Sequence, residues 1–189
     1  MIRGVIFDYF DVIRPDGYKR WVATHGLTGE TKLLPITKAR DAGKLSTAEF
    51  FAALATVTGQ SPEAVEHELE DSKAPDKAIL QLIKSLRPQY KTALLSNSDG
   101  SYLRDELQAN QLESYFNEII ISSEVGYNKP DPEIYKIAIG RLALPAEACL
   151  FIDDNPHNIA GADAVGLHTI LYSGFHKLEE QLAAHNLIA

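Results

Sequence analysis

The sequence predicts an α/β fold: a parallel sheet flanked by helices, with a small four-helix unit inserted after the first strand. Three observations carry that expectation. Short apolar runs recur at 4–10, 92–95, 118–121, 149–152 and 168–171, and most are separated by segments of helical periodicity, the alternation expected of βαβ units. Strands buried on both faces of a parallel sheet read as continuous apolar stretches, as these do. The interval between the first two runs is far longer than the rest and holds helix punctuation instead of a strand.

The elements follow in order. The first run, Gly4-Val5-Ile6-Phe7, finishes at Asp8. Segments 17–25 and 31–42 are helical candidates. Ser46-Thr47-Ala48-Glu49 is a capping box ahead of Phe50, Phe51, Leu54 and Val57, which share one face, and Gly59 stops that helix. Ser61-Pro62-Glu63 starts a fourth, with serine at the N-cap and proline at the first helical position, where a missing N–H costs nothing. Segment 76–86 then leads into the second strand. Farther on, Asp131-Pro132-Glu133 opens a helix with Ile134, Ile137, Ala138 and Leu142 on one stripe. Asn155-Pro156 opens another, whose Ile159, Ala162 and Val165 face the sheet before Gly166 ends it.

Composition narrows the function. A formal charge of −8 with a pI near 5.2 opposes nucleic acid or an anionic membrane surface as partner, since both need a basic face. The lone cysteine, Cys149, falls within a predicted strand and reads as a small core hydrophobe, which excludes disulfide and thiolate-metal frameworks. The apolar stretch from Val5 is broken by Asp8, and no run approaches membrane-spanning length, so a cytoplasmic location is expected. No pattern specifies an oligomeric state.

Chemistry-bearing residues gather just beyond the predicted strands. Asp8 follows the first, Ser96-Asn97 the second, Lys129-Pro130 lies in the loop after the third, and Asp153-Asp154 follow the fourth. Open α/β sheets bind ligands beyond the carboxyl ends of their strands. Three carboxylates meeting there repel one another and raise their own pKa values unless a hard cation sits among the oxygens, which points to Mg²⁺ with a small phosphorylated molecule. Asn158, one helical turn after Asp154, reads as a polar support for the aspartates. Arg14 and Arg40 are candidates for substrate contact at the insert, with solvated arginines the commoner reading, and His157 reads as a surface residue near the mouth of the site.

Acid, hydroxyl, lysine and acid pair in this order resemble the haloacid dehalogenase superfamily, through Phe7-Asp8, Leu95-Ser96-Asn97, Asn128-Lys129-Pro130-Asp131-Pro132 and Phe151-Ile152-Asp153-Asp154-Asn155. The resemblance spans the whole chain and implies a Rossmann-like core at 1–14 and 76–189, with residues 15–75 similar to the α-helical cap of the first subclass. It implies a magnesium-dependent phosphohydrolase in which Asp8 attacks phosphorus, Ser96 and Asn97 donate to phosphate oxygens, and Lys129 neutralises charge on the transferring group. The metal would sit on Asp8, Asp153, Asp154 and the backbone carbonyl of Phe10.

The first motif departs from that pattern. Phosphatases of the superfamily usually have a second aspartate two residues after the nucleophile as general acid, and here that position is Phe10. A benzyl group transfers no proton, and losing general acid–base help removes about 10²–10⁴-fold in rate. Asp11 lies three positions after Asp8 and would point away unless the chain turns there. Slow hydrolysis is therefore one expectation. A non-catalytic phosphate- and magnesium-binding regulatory module is a second, and a 2-haloacid dehalogenase, which also has an aromatic residue at this position, is a third.

Overall fold

In the computed structural model, which describes residues 1–70 and 74–188, the five apolar runs form one sheet. The strands are β1 (Gly4–Phe7), β2 (Lys91–Ser96), β3 (Glu118–Ile121), β4 (Cys149–Asp153) and β5 (His168–Leu171). Their spatial order is β3-β2-β1-β4-β5, with every pairing parallel. The central strand β1 is registered on both sides, Phe7 lying across from Leu94 and Ile152. The chain crosses from the β3 edge back to β4 beside β1. That reversal of direction creates the crevice where doubly wound sheets bind ligands.

Alternation along β1 divides the core. Val5 and Phe7 enter one apolar cluster with α5 (Lys77–Leu86), α6 (Gly100–Ala109) and α10 (Phe175–Ala184). Ile6 enters the other with α8 (Pro132–Leu142) and α9 (Pro156–Ala164). Cys149 is fully buried there, and burial pushes its thiol up to about 11. A thiol so held is inert, as expected of a core hydrophobe.

Between β1 and α5 the described residues form four helices: α1 (Gly17–Thr24), α2 (Leu33–Asp41), α3 (Thr47–Thr58) and α4 (Pro62–Glu70). They have an apolar cluster of their own, built from Trp21, Leu33, Phe50, Phe51, Leu54 and neighbours. The Ser46–Glu49 capping box is present, and Gly59 ends α3 in the left-handed conformation. The insert leaves and returns at one point, where Asp76 N donates to Ile13 O at 2.7 Å. Among the described residues no helix is long and apolar enough to cross a membrane.

One boundary differs from expectation. The first strand stops at Phe7 rather than continuing to residue 10. Asp11 adopts φ of 59°, and Ile13 N and Arg14 N both donate to Tyr9 O, so the backbone folds back after Asp8 and only an isolated bridge joins Phe10 to Arg14. Tyr9 and Val12 are apolar because this turn is buried, not because the strand continues.

Gly161 sets the distance between α9 and the loop after β3. A Cβ there would stand 2.7 Å from Pro130 O and 2.8 Å from Pro130 Cβ. Gly161→Ala is expected to lower stability by about 1–3 kcal/mol through overpacking, read as a lower urea midpoint. Because Pro130 follows Lys129, the same substitution should displace that lysine and reduce any activity that depends on it.

Candidate functional site

The site forms where β1, β2 and β4 end together. Asp8 continues the ladder one residue past β1, its N–H donating to Ile152 O at 2.9 Å. Lys129 arrives from the loop between α7 (Ser122–Val125) and α8 and is buried. Its Nζ lies 2.7 Å from Asp8 Oδ1 and 2.6 Å from Asp153 Oδ2. The backbone N–H of Tyr9 also donates to Asp8 Oδ1, at 2.7 Å. Asp8 Oδ2 has no hydrogen-bond partner among the described residues.

Polar side chains hold this arrangement in place. Asn97 clasps the backbone of Lys129 with both ends of its amide, Nδ2 donating to the carbonyl at 2.9 Å and Oδ1 accepting from the N–H at 2.8 Å. Asn158 Nδ2 lies 3.0 Å from each oxygen of Asp153, the supporting contact expected of it, and Asn155 N–H donates to Asp153 Oδ1 at 2.8 Å. With Lys129, these donors engage both oxygens of Asp153. The Ser96 hydroxyl is buried at the end of β2 and has no hydrogen-bond partner among the described residues.

Charge at the site does not balance within the core. Burial pushes the Asp8 carboxyl well above its usual range; Lys129 opposes that shift, and Asp153 adds to it. Burial disfavours the Lys129 ammonium, but Asp8 and Asp153 outweigh it and raise its pKa. Asp8, Asp153 and Asp154 each offer an oxygen within 4.8 Å of the others. Three carboxylates around one buried ammonium leave a negative surplus suited to a hard dication.

The insert closes the site and brings further groups to it. A cavity of about 340 Å³ is lined by Asp8, Asn97, Lys129 and Asp154 from below and by Lys19, Arg40 and Asp41 from the insert. Lys19 Nζ bridges Asp154 Oδ2 at 2.6 Å and Asp11 Oδ2 at 2.7 Å. Partial burial opposes its charge, and the two carboxylates outweigh that and raise its pKa. The turn after Tyr9 thus returns Asp11 to the site's edge, where Lys19 engages it.

Neither arginine is solvated as expected. Arg14 is buried against Glu106, at 3.3 Å, and donates to the Tyr102 hydroxyl at 3.1 Å. The Arg40 guanidinium sits 4.3 Å over the Phe50 ring and 5.1 Å from that of Tyr102. His157 is exposed, as expected. Lys19, Asp41 and Tyr102 escaped sequence reading because nothing in their local pattern tells how the insert sits on the core.

A family model described as haloacid dehalogenase-like hydrolase matches residues 42–172. The chain is similar to (S)-2-haloacid dehalogenase 1 of a Pseudomonas species, at 36% identity over 92 residues, covering 48% of this chain and 40% of that protein. It therefore spans less than half the length of that relative. It is also similar to a D-ribitol-5-phosphate phosphatase of Bacteroides thetaiotaomicron, at 25% identity over 192 residues, covering 89% of this chain and 91% of that one. A haloacid dehalogenase family enzyme from the same organism, solved in complex with magnesium and inorganic phosphate, shares the fold with a TM-score of 0.74 at 21% identity, covering 94% of this chain and 99% of its own.

The Asn158 contacts yield a stability expectation. Asn158→Ala removes the amide that approaches both oxygens of a fully buried carboxylate, and should cost about 1.5–3 kcal/mol, the range for hydrogen bonds to charged groups. Denaturant titration reads this directly. A loss below about 0.5 kcal/mol would mean that water or Lys129 replaces the amide without penalty.

Proposed function

We propose that this chain, which belongs to the haloacid dehalogenase-like hydrolase family, is a magnesium-dependent phosphohydrolase. Its substrate is a small phosphorylated molecule, and the reaction runs through an aspartyl-phosphate on Asp8. The observation that carries this reading is the unpartnered oxygen of Asp8, facing a cavity beside a buried ammonium and an acid pair. The same reading divides the chain into a core, 1–14 and 76–189, and a helical cap, 15–75. Residues 71–73 and 189 of those ranges lie outside the described residues.

The donor set fits both a cation and a phosphate. Asp8, Asp153 and Asp154, with the backbone carbonyl of Phe10, would hold Mg²⁺, and Asp153 also holds Lys129. The bound cation supplies screening between the attacking carboxylate and the anionic substrate. A buried hydroxyl without a partner costs about 1–3 kcal/mol, so the orphaned Ser96 Oγ supports a phosphate oxygen as its missing acceptor. Asn97 retains one amide hydrogen for the same anion while it anchors Lys129.

In the first half-reaction an Asp8 oxygen attacks phosphorus and the bond to the leaving oxygen breaks. Lys129 neutralises charge gathering on the phosphoryl oxygens. Water then attacks phosphorus, the bond to the Asp8 oxygen breaks, and inorganic phosphate leaves. Dehalogenation is the second reading, favoured by the Pseudomonas relative and by an aromatic residue at position 10. Release of chloride from 2-chloropropionate without metal would replace the phosphatase reading.

Two measurements test the proposal. Millimolar Mg²⁺ should raise the melting temperature of the wild-type protein, because the cation relieves repulsion present only when the strands are assembled. Asp154→Ala should lose most of that shift, and an equal shift in the variant would remove Asp154 from the metal site. With Mg²⁺, the wild type should release nitrophenol from 4-nitrophenyl phosphate, and Asp8→Asn should fall to background while melting cooperatively. Activity persisting in Asp8→Asn would remove Asp8 as the nucleophile.

A further inference from the structure

Phe10 leaves the phosphohydrolase reading without a proton donor, and the insert contains a carboxyl suited to the task. Asp41 ends α2 and lines the same cavity as Asp8 and Lys129. Its carboxyl makes no hydrogen bond and no ion pair with any described residue. The neighbouring Arg40 does not pair with it, because the guanidinium lies against Phe50 and Tyr102 instead. An unpaired, half-buried carboxyl in a cavity is free to exchange a proton with whatever the cavity holds.

Its backbone is fixed to the core as well. Ser122 Oγ donates to Asp41 O at 2.6 Å and accepts from Ser98 N–H at 2.9 Å, so one hydroxyl ties the end of α2 to the loop carrying Ser96 and Asn97. Two residues on, a Cβ at Gly43 would lie 3.1 Å from Ser123 Cβ, which shows how closely the insert meets the core at this point. Asp41 is thereby held beside the catalytic loops, within reach of the Lys129 charge.

We propose that Asp41 is the general acid that Phe10 cannot be, protonating the leaving oxygen of a phosphomonoester. This rests on the phosphohydrolase reading. As Asp8 attacks and the phosphorus–oxygen bond to the alcohol breaks, the Asp41 proton passes to that oxygen, giving a neutral alcohol and an Asp41 carboxylate. In the second half-reaction the carboxylate takes a proton from the water attacking the aspartyl-phosphate, which releases phosphate and restores the acid.

The local charges set its working range. Burial pushes the Asp41 carboxyl up to about 6, Arg40 beside it and Lys129 from the core lower it, and Asp16 at the start of α1 raises it. Tyr18, also on α1, faces the same carboxyl. The acid form is therefore present below pH 6 and lost as pH rises through about 6. For an alkyl phosphate, whose leaving alkoxide needs a proton, kcat/KM falls across that interval. For 4-nitrophenyl phosphate, whose leaving group hardly needs one, the fall is much smaller.

The test measures kcat/KM on both substrates, with Mg²⁺, for the full-length wild type, Asp41→Asn and Asp41→Glu. Because kcat/KM reports the steps up to phosphoryl transfer to Asp8, the leaving-group proton is isolated from later hydrolysis. Asp41→Asn should lose about 10²-fold or more on the alkyl phosphate and at least ten times less on the nitrophenyl ester. Asp41→Glu should recover part of the loss, and the alkyl-specific fall with pH should vanish in Asp41→Asn. Equal losses on both substrates, or no loss, overturn the assignment of Asp41 while leaving the hydrolase reading standing. Failure of the wild type to hydrolyse either substrate overturns that reading and this proposal with it. The wild-type pH profiles need no variant, so an Asp41→Asn protein that failed to fold would still leave a deciding result.

Discussion

The buried bridge from Asp8 through Lys129 to Asp153 is the interaction around which the rest of the site is arranged. An ion pair taken out of water contributes little net stability, because desolvation offsets most of its attraction, yet removing one partner costs about 3–5 kcal/mol by stranding a charge. The protein therefore has to keep all three groups together. It does so with neutral amides: Asn97 fastens the Lys129 backbone, Asn158 and Asn155 engage the Asp153 oxygens, and a glycine at position 161 lets α9 come up to Pro130. Sheet register supplies the remainder, since Asp8 and Asp153 follow the paired residues Phe7 and Ile152.

That bridge is under-compensated by design of its residue types. One ammonium between two buried carboxylates, with Asp154 beside them, leaves negative charge that nothing in the core cancels. The insert answers with Lys19, which reaches both Asp154 and Asp11. Lys19 is about half exposed, with 53% of its side chain accessible, so solvent screens its attraction and it is a weak substitute for a coordinated dication. Its contact with Asp154 also couples seating of the insert to the charge state of the site. A cation held at Asp154 would share that carboxylate with Lys19.

Much of this architecture was legible in the sequence, because it rests on local rules. Continuous apolar runs marked the strands, the Ser46–Glu49 box and the proline starts at 62, 132 and 156 marked helices, and carboxylates at matching strand ends marked the site. Where reading went astray, burial imitated a strand: Tyr9 and Val12 are core residues of a turn whose reversal depends on Asp11 in the left-handed region. Lys19 and Asp41 were opaque for a different reason. Their importance comes from how two separately cored units meet, and no helical periodicity encodes that. Asn97 reads from sequence as a phosphate donor, whereas its clasp on a residue 32 positions away is visible only in three dimensions.

Phe10 and Asp41 together suggest how chemistry can migrate within such a fold. An acid two residues after the nucleophile is carried by the core itself and is present whether or not the insert is seated. The carboxyl at the end of α2 lines the cavity from an insert that Ser122 ties to the loop carrying Ser96 and Asn97. Proton donation from Asp41, as proposed, would then depend on how the insert sits on the core. Phe10, an aromatic side chain, lines the same cavity. Such an acid would read the substrate's leaving group and the insert's contacts together, whereas one carried by the core would read the leaving group alone.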